Sequence, residues 1–439
     1  MLPYGAIADR RVALTASVGR AGRVMADDAT PPGPQEFARG AQPLAGLRVL
    51  ELGTLIAGPF ATRLMAEFGA EVIKVEAPGA PDPLRSWRYV DPRTGTSLWW
   101  AVQARNKQLI TLDLKHPDGL ALAKRLVAAC DIVVENFRPG LLERLGLGWD
   151  VLHAINPRLI LVRVSGYGQT GPVHDKPGFG TIGESMGGIR YVTGAPDGPP
   201  VRAGISFGDS LAALYAVVGA LMAVYARDVR GLGVGQVVDV ALYEAVFSLM
   251  ESMLPEFDVA GIVRERTGSA LPGIVPSNTY RTGDESYVVI GGNSDPIFRR
   301  LMIAIGHPAL ADDPRYRTNT DRAGHAAALD GLIEDWTRGR TARECLTLLD
   351  AANVPVGLIY SVADIVADPQ YAARAMILEA EIDGIGPVKM PGLVPKLSVT
   401  PGAVAWYGGA PGSHNDAVYG DLLGLDAAER ARLAQAGAI

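Results

Sequence analysis

The feature that most constrains this chain is one strand–helix–strand unit at residues 47–76. Leu47-Arg48-Val49-Leu50-Glu51-Leu52 is a short apolar run that Gly53 ends. After a turn closing in Gly58-Pro59, the residues Phe60, Leu64, Met65 and Phe68 recur at helical spacing until Gly69 stops the pattern. Glu71 to Glu76 (EVIKVE) reads as the next strand. Two adjacent strands joined by a helix lie parallel, because the helix carries the chain back to the starting edge. The theme returns with a strand over Ile110–Leu114, a helix over Gly119–Ala129, a strand over Asp131–Glu135 and another over Leu159–Val164. A helical stretch ending before Asn156-Pro157 separates the last two. The fold class read from this is α/β, a doubly wound parallel sheet in a Rossmann-like large domain.

Beyond the sheet, Asp209 to Arg227 reads as a long apolar helix, followed by a strand over Gln236–Val240 and a helix running through Met253. Gly268–Pro276 has the composition of a linker. A strand pair (Asn278–Arg281, Tyr287–Ile290) and further helices then indicate a smaller α+β domain. From Ser361 the chain has turns, a short strand at Val388–Met390 and a terminal helix. The domain layout is therefore a flexible N-terminal extension at 1–42, a large α/β domain at 43–265, a small α+β domain at 266–360, and a C-terminal part at 361–439 returning to the large domain. Residues 1–42 hold Arg10, Arg11, Arg20, Arg23 and a Pro/Gly stretch but no apolar h-region, so a secretory signal is not expected.

Composition narrows the function classes. A net charge of −6 speaks against a nucleic acid or an anionic membrane as partner. No apolar run is expected to reach the roughly 18 residues of a membrane span. Two cysteines, Cys130 and Cys345, fit a reducing cytoplasm and have no metal-ligand spacing.

Three motifs have the residue types for chemistry. The loop Gly53-Thr54-Leu55-Ile56-Ala57-Gly58-Pro59 lacks dinucleotide spacing, and Leu55 and Ile56 stand where backbone should approach a pyrophosphate, although Glu76 ends the second strand where a ribose acid would sit. Gly204-Ile205-Ser206-Phe207-Gly208 mimics a nucleophile elbow, yet His307, His325 and His414 carry no triad signature. In Gly208-Asp209-Ser210 an aspartate opens an apolar helix. It is either an N-cap or a nucleophile, already ionised at neutral pH and flanked by a glycine that lets a substrate approach. Spacing alone favours the cap.

Five stretches taken together change that balance. They are Leu47 to Glu76 (LRVLELGTLIAGPFATRLMAEFGAEVIKVE), Asn106-Lys107 with Asp113-Leu114, Val134 to Gly140 (VENFRPG), Gly166 to Pro172 (GYGQTGP), and Gly208-Asp209-Ser210. In order and spacing they resemble the class III CoA-transferases, the family of formyl-CoA transferase and carnitine CoA-transferase, from about Pro43 to the C-terminus. The resemblance implies that Asp209 is the nucleophile, attacking a donor thioester to give an aspartyl anhydride and then an aspartyl-CoA thioester. It implies coenzyme A contacts at Leu55, Ile56, Ala57, Leu112, Asn136, Phe137 and Arg144, with no cofactor beyond the thioester substrate and no metal. It also implies an interlocked homodimer. Ala77 stands where the family has an arginine, which leaves Arg85 or Arg105 for the adenine end. The family's glycine-rich lid has its nearest counterpart in Gly291-Gly292-Asn293.

Within this resemblance, the stretch Gly178 to Tyr191 with Gly204-Ile205-Ser206 and Glu251 looks like the branch that moves CoA from succinyl-CoA to dicarboxylates such as malate, citramalate or itaconate. Arg190 or Arg202 would then clamp the distal carboxylate. Formate, oxalate or carnitine-type acids are the alternative acceptors. An α-methylacyl-CoA racemase is the other reading. Its aspartate aligns with Asp209 but its histidine falls on Phe179, which accepts no proton.

Overall fold

The computed structural model describes residues 42–439. The extension read at 1–42 therefore lies, but for its last residue, outside the described residues. Six strands form one parallel sheet: β1 (Arg48–Glu51), β2 (Glu71–Glu76), β3 (Lys107–Thr111), β4 (Ile132–Glu135), β5 (Ile160–Ser165) and β6 (Val237–Ala241). Their order is β3-β2-β1-β4-β5-β6. The chain first winds outward from β1 to β3, then returns and winds the other way from β4 to β6. The loops after β1 and β4 part in opposite directions at that reversal and open a crevice at the strand ends.

Helices cover both faces. On one side α1 (Ala57–Glu67) and α5 (Phe207–Val224) pack on the sheet. On the other lie α2 (Pro117–Ala128) and α3 (Trp149–Ile155). The helix α5 inverts the usual pattern. Its buried stripe is alanine (Ala212, Ala213, Ala216, Ala220, Ala223), whereas Leu214, Val218 and Met222 are exposed. Small side chains let the helix axis come close to β5 and β6. With the π-helical turn that follows, the stretch Phe207–Val229 is long and apolar enough to cross a membrane by length and composition, which corrects the expectation that none is. Its alanine stripe, packed against Val162, Val164 and Ala61, gives it a place in the covering layer of the sheet.

Two sequence boundaries move. The third strand is Lys107–Thr111 rather than 110–114, because the polar pair Lys107-Gln108 pairs in register with Val72 and Ile73. The helix expected through Met253 ends at Phe247 (α6, Leu242–Phe247) and resumes as α7 (Met253–Ala260), with Glu251 in the left-handed region at φ +49° between them.

Further on, β7 (Ser277–Arg281), β8 (Tyr287–Gly291) and β9 (Val356–Leu358) form an antiparallel sheet. It has its own core with α8 (Asp295–Ala304), α9 (Ala326–Arg338) and α10 (Ala342–Ala351). The hairpin β10 (Ile377–Ile382) and β11 (Gly386–Pro391) packs on the short helix Leu98–Gln103. The last residues return to the large sheet. Tyr419 donates to the Thr111 carbonyl, and Leu433 from α11 (Ala427–Gln435) joins the core beneath β1, β2 and β3.

Candidate active site

The crevice at the β1/β4 reversal holds a cavity of about 460 Å³. Its walls come from the β1 loop (Thr54 to Ala57), the β4 loop (Asn136 to Pro139), the end of β5 and the 176–181 segment, with Ser206 and Asp209 from the start of α5.

The β1 loop is held from beneath by charge. Lys74 Nζ lies 2.8 Å from both Glu51 and Asp82 and donates to the Gly53 carbonyl at 2.9 Å. Lys107 Nζ sits 2.8 Å from Glu51 and donates to the Pro59 carbonyl at 2.7 Å. All four side chains are essentially unexposed. Burial works to raise the Glu51 carboxyl, but Lys107 and Lys74 overrule it and hold it down to about 2. Burial, with Lys74 adding to it, brings Lys107 down to about 8 against the pull of Glu51. Asp82 accepts from the Leu55 N–H at 3.1 Å, fixing Leu55 at φ +66°, a conformation that costs a non-glycine residue of order 1 kcal/mol. The side chain of Asn136 closes the crevice floor. It accepts from the Thr54 N–H and donates to the Thr54 carbonyl, both at 2.8 Å. A Cβ on Gly53 would stand 2.6 Å from its Oδ1, so this approach needs a glycine.

Asp209 is not the cap of α5. Ser206 is the N-cap residue, without a side-chain cap bond, and Asp209 is third in the helix, among the N–H groups of its first turn that find no partner within the helix. Burial, then the negative charge of Glu184, pushes its carboxyl up to about 6, with Arg202 pulling the other way. Among the described residues no other side chain donates to it. Helix α4 (Gly180–Met186) makes room for the carboxylate. A Cβ on Gly180 would lie 2.1 Å from Asp209 Oδ2.

The residues marked in the sequence divide clearly. Leu55, Ile56, Ala57, Asn136, Phe137, Arg202 and Asp209 line the cavity. Leu112 is buried in the core just past β3 and Arg144 is exposed on the turn Leu141–Arg144; neither is on the wall. Arg190 pairs with Glu184 at 3.0 Å and does not line the cavity. The two arginines considered for the adenine end are committed elsewhere. Arg85 is bound twice by Glu76 at 2.7 Å and stacks 3.8 Å over Trp100, while Arg105 is buried against Glu67. Gly291-Gly292-Asn293 lies at the end of β8, off the cavity. The elbow-like serine fails on structure, because residues 201–205 before Ser206 form no strand. Phe179 lines the cavity where the racemase reading needs an imidazole.

Sequence reasoning gave no role of their own to Gly180 and Glu184, which lie in the stretch Gly178 to Tyr191, nor to three cations on the wall: Arg88, Arg138 and Lys176. The pattern G-x-x-G-E in α4 was the available signal, since glycines three apart mark a helix face pressed against a neighbour. A Cβ on Gly183 would indeed meet Leu242 of α6 at 2.7 Å. With Arg202, the wall carries four cations against the single carboxylate of Asp209, an environment for an anionic substrate.

Residues 44–415 match CoA-transferase family III. The chain is 54% identical over 387 residues to the succinyl-CoA–D-citramalate CoA-transferase of Chloroflexus aurantiacus, covering 88% of this chain and 95% of that one. It is 41% identical over 386 residues to the succinyl-CoA–L-malate CoA-transferase beta subunit of the same organism, covering 87% and 95%. Among solved structures, a CaiB/BaiF family protein from Brucella suis superposes with a TM-score of 0.76 at 34% identity, covering 87% of this chain and all of that one.

Proposed function

Because the chain belongs to CoA-transferase family III, we propose that it moves coenzyme A from succinyl-CoA to a small dicarboxylic acid of the citramalate or malate type, with Asp209 as nucleophile. The observation that carries this reading is the Asp209 carboxylate, exposed to the crevice at the helix start and left without a side-chain partner. In the first step a carboxylate oxygen attacks the thioester carbonyl. The C–S bond breaks, CoA leaves as thiolate with the electron pair, and Asp209 becomes a mixed anhydride. The thiolate then attacks the aspartyl carbonyl, releasing succinate and leaving an aspartyl-CoA thioester. The acceptor carboxylate attacks that thioester, and the returning thiolate takes the acceptor's acyl group and frees Asp209. Each step exchanges one activated acyl bond for another, so no external energy source enters.

The chain's residues divide the remaining work. The first turn of α5 sets backbone N–H groups beside Asp209, of which Glu184 takes that of Gly208, to stabilise the charge that develops on the aspartyl carbonyl. The cavity suits the acyl group and the pantetheine arm, with Arg88, Arg138 and Lys176 as cations for the phosphates and Arg144 nearby on the β4 side. Arg202 clamps the distal carboxylate. Arg190, bound to Glu184, is the weaker choice for that role. Two copies of the chain interlock as a homodimer, in keeping with the exposed Leu214, Val218, Met222, Phe257 and Val259.

The experiment is an acceptor screen. The protein is mixed with succinyl-CoA and, separately, citramalate, malate, itaconate, oxalate, carnitine or buffer, and CoA products are identified by mass spectrometry beside Asp209→Ala. A new diacid thioester, absent with the variant, is the expected result. Products with oxalate or carnitine alone would overturn the acceptor class, and a solution mass of one chain would remove the dimer.

A further inference from the structure

The carboxylate of Glu184 has no part in the steps above, yet it sits at the centre of the site. It belongs to α4, one turn after the glycine that faces Asp209, and is only 2% exposed. Its Oε2 accepts from Arg190 Nε at 3.2 Å and Nη2 at 3.0 Å. Its Oε1 accepts from the Gly208 N–H at 3.3 Å and from Arg202 Nη2 at 3.4 Å. A carboxylate so far from water needs cations, and the two arginines serve it unequally. Arg190 makes two bonds and keeps away from the cavity. Arg202 makes a single long one, adds bonds to Thr181 Oγ1 and the Ile205 carbonyl at 3.2 Å, and lines the cavity. Three anchors thus fix its guanidinium and leave N–H groups over for an anion.

We infer that Glu184 is a positioning residue for the transfer proposed above: its bond to Arg202 sets that arginine at the cavity wall, and its charge, next to Gly208, opposes the free carboxylate of Asp209 and so favours the acylated state. When Asp209 acylates, its oxygen bonds to the acyl carbon, the C–S bond breaks, and the negative charge leaves on sulfur. The like-charge opposition ends at that moment. Glu184 and Arg202 are the charged groups close enough to Asp209 to move its titration.

The test uses the full chain with Glu184→Gln and Glu184→Asp. In Glu184→Gln the KM for a diacid acceptor rises about tenfold while that for a monocarboxylate of equal length stays within about twofold, as expected for a displaced ion-pair partner. The fraction of enzyme trapped by hydroxylamine after succinyl-CoA alone falls, and the acid limb of the rate profile moves down by at least about half a pH unit. Glu184→Asp, which keeps the charge, restores the limb. If Glu184→Gln alone does not fold, the charge-balanced pair Glu184→Gln with Arg190→Gln carries the same expectations. Equal losses for diacid and monoacid with an unmoved limb would reduce Glu184 to a structural residue and overturn the inference, as would wild-type behaviour. A wild-type protein that transfers nothing from succinyl-CoA overturns the transfer reading instead, and this inference with it.

Discussion

Two clusters of charge in this molecule have the same inventory, two carboxylates and two cations, and opposite arrangements. Beneath the β1 loop, Glu51 and Asp82 meet Lys74 and Lys107, and each charge touches an opposite one at 2.8 Å. The spare hydrogen bonds go to backbone at Gly53, Leu55 and Pro59, so the cluster is spent on holding a loop. Around α5, Glu184 and Asp209 meet Arg190 and Arg202, but both arginines bind Glu184 and neither pairs with Asp209. The first cluster lowers its glutamate to about 2; the second raises its aspartate to about 6. Proximity to charge does not distinguish a reactive carboxylate from a structural one. Exclusion from pairing does.

The comparison breaks most visibly at Asp209. Asp209→Asn should lower transfer by at least about 10⁴-fold and yet stabilise the fold by up to about 3 kcal/mol at pH 7.5. The sign follows from linkage. The folded pKa, near 6, lies above the unfolded value of about 3.9, so the ionised group opposes folding in full above pH 6, and that opposition drains away as pH falls from 6 to about 4. Urea midpoints at pH 7.5 and 4 check it; a destabilised variant at pH 7.5 would contradict the unpaired carboxylate.

Glu51→Gln should do the reverse, removing one partner from a fully buried cluster at about 3–5 kcal/mol. The Glu51 contribution is complete above about pH 4.5 and drains away as pH falls toward 2. Denaturant midpoints between pH 7 and 3 should therefore fall steeply for the wild type and more gently for the variant.

A smaller effect is expected at the contact between α4 and Asp209. Gly180→Ala brings a methyl group onto Asp209 Oδ2 and should lower kcat about 100-fold by displacing the carboxylate, with the melting temperature little changed. Equal loss of rate and stability would mean that the glycine serves packing alone. The mildest test is the pH profile. The wild-type rate should be half its plateau near pH 6, because Asp209 must be ionised to attack.

Most of the sheet was legible because parallel strands buried on both faces read as apolar runs; β2 falls on Glu71–Glu76 as expected. The third strand slipped because Lys107 and Gln108 are polar and stand ahead of the apolar run that marks a strand. The burial of Lys107 depends on Glu51, more than fifty residues earlier, and no local pattern carries that information. The site was half legible. The loops after β1 and β4 and the helix start at Asp209 carry the family's motifs and converge on one cavity. Asn136 was found, although its amide is engaged by Thr54 rather than free. Glu184 stayed hidden because a glutamate in a short helix looks like a solvated residue until Arg190 and Arg202 are seen to fold over it. Gly180 stayed hidden because a glycine declares its role only when the atom that fills the missing Cβ is known.

The most direct test of the unpaired nucleophile is chemical trapping. Protein mixed with succinyl-CoA alone is quenched with hydroxylamine, digested, and its peptides are sequenced by mass spectrometry. The expected result is a hydroxamate on Asp209 and on no other carboxylate, increasing in yield as pH rises through 6. A hydroxamate on Glu184 or another acid, or CoA transfer that proceeds with Asp209 never labelled, would contradict it.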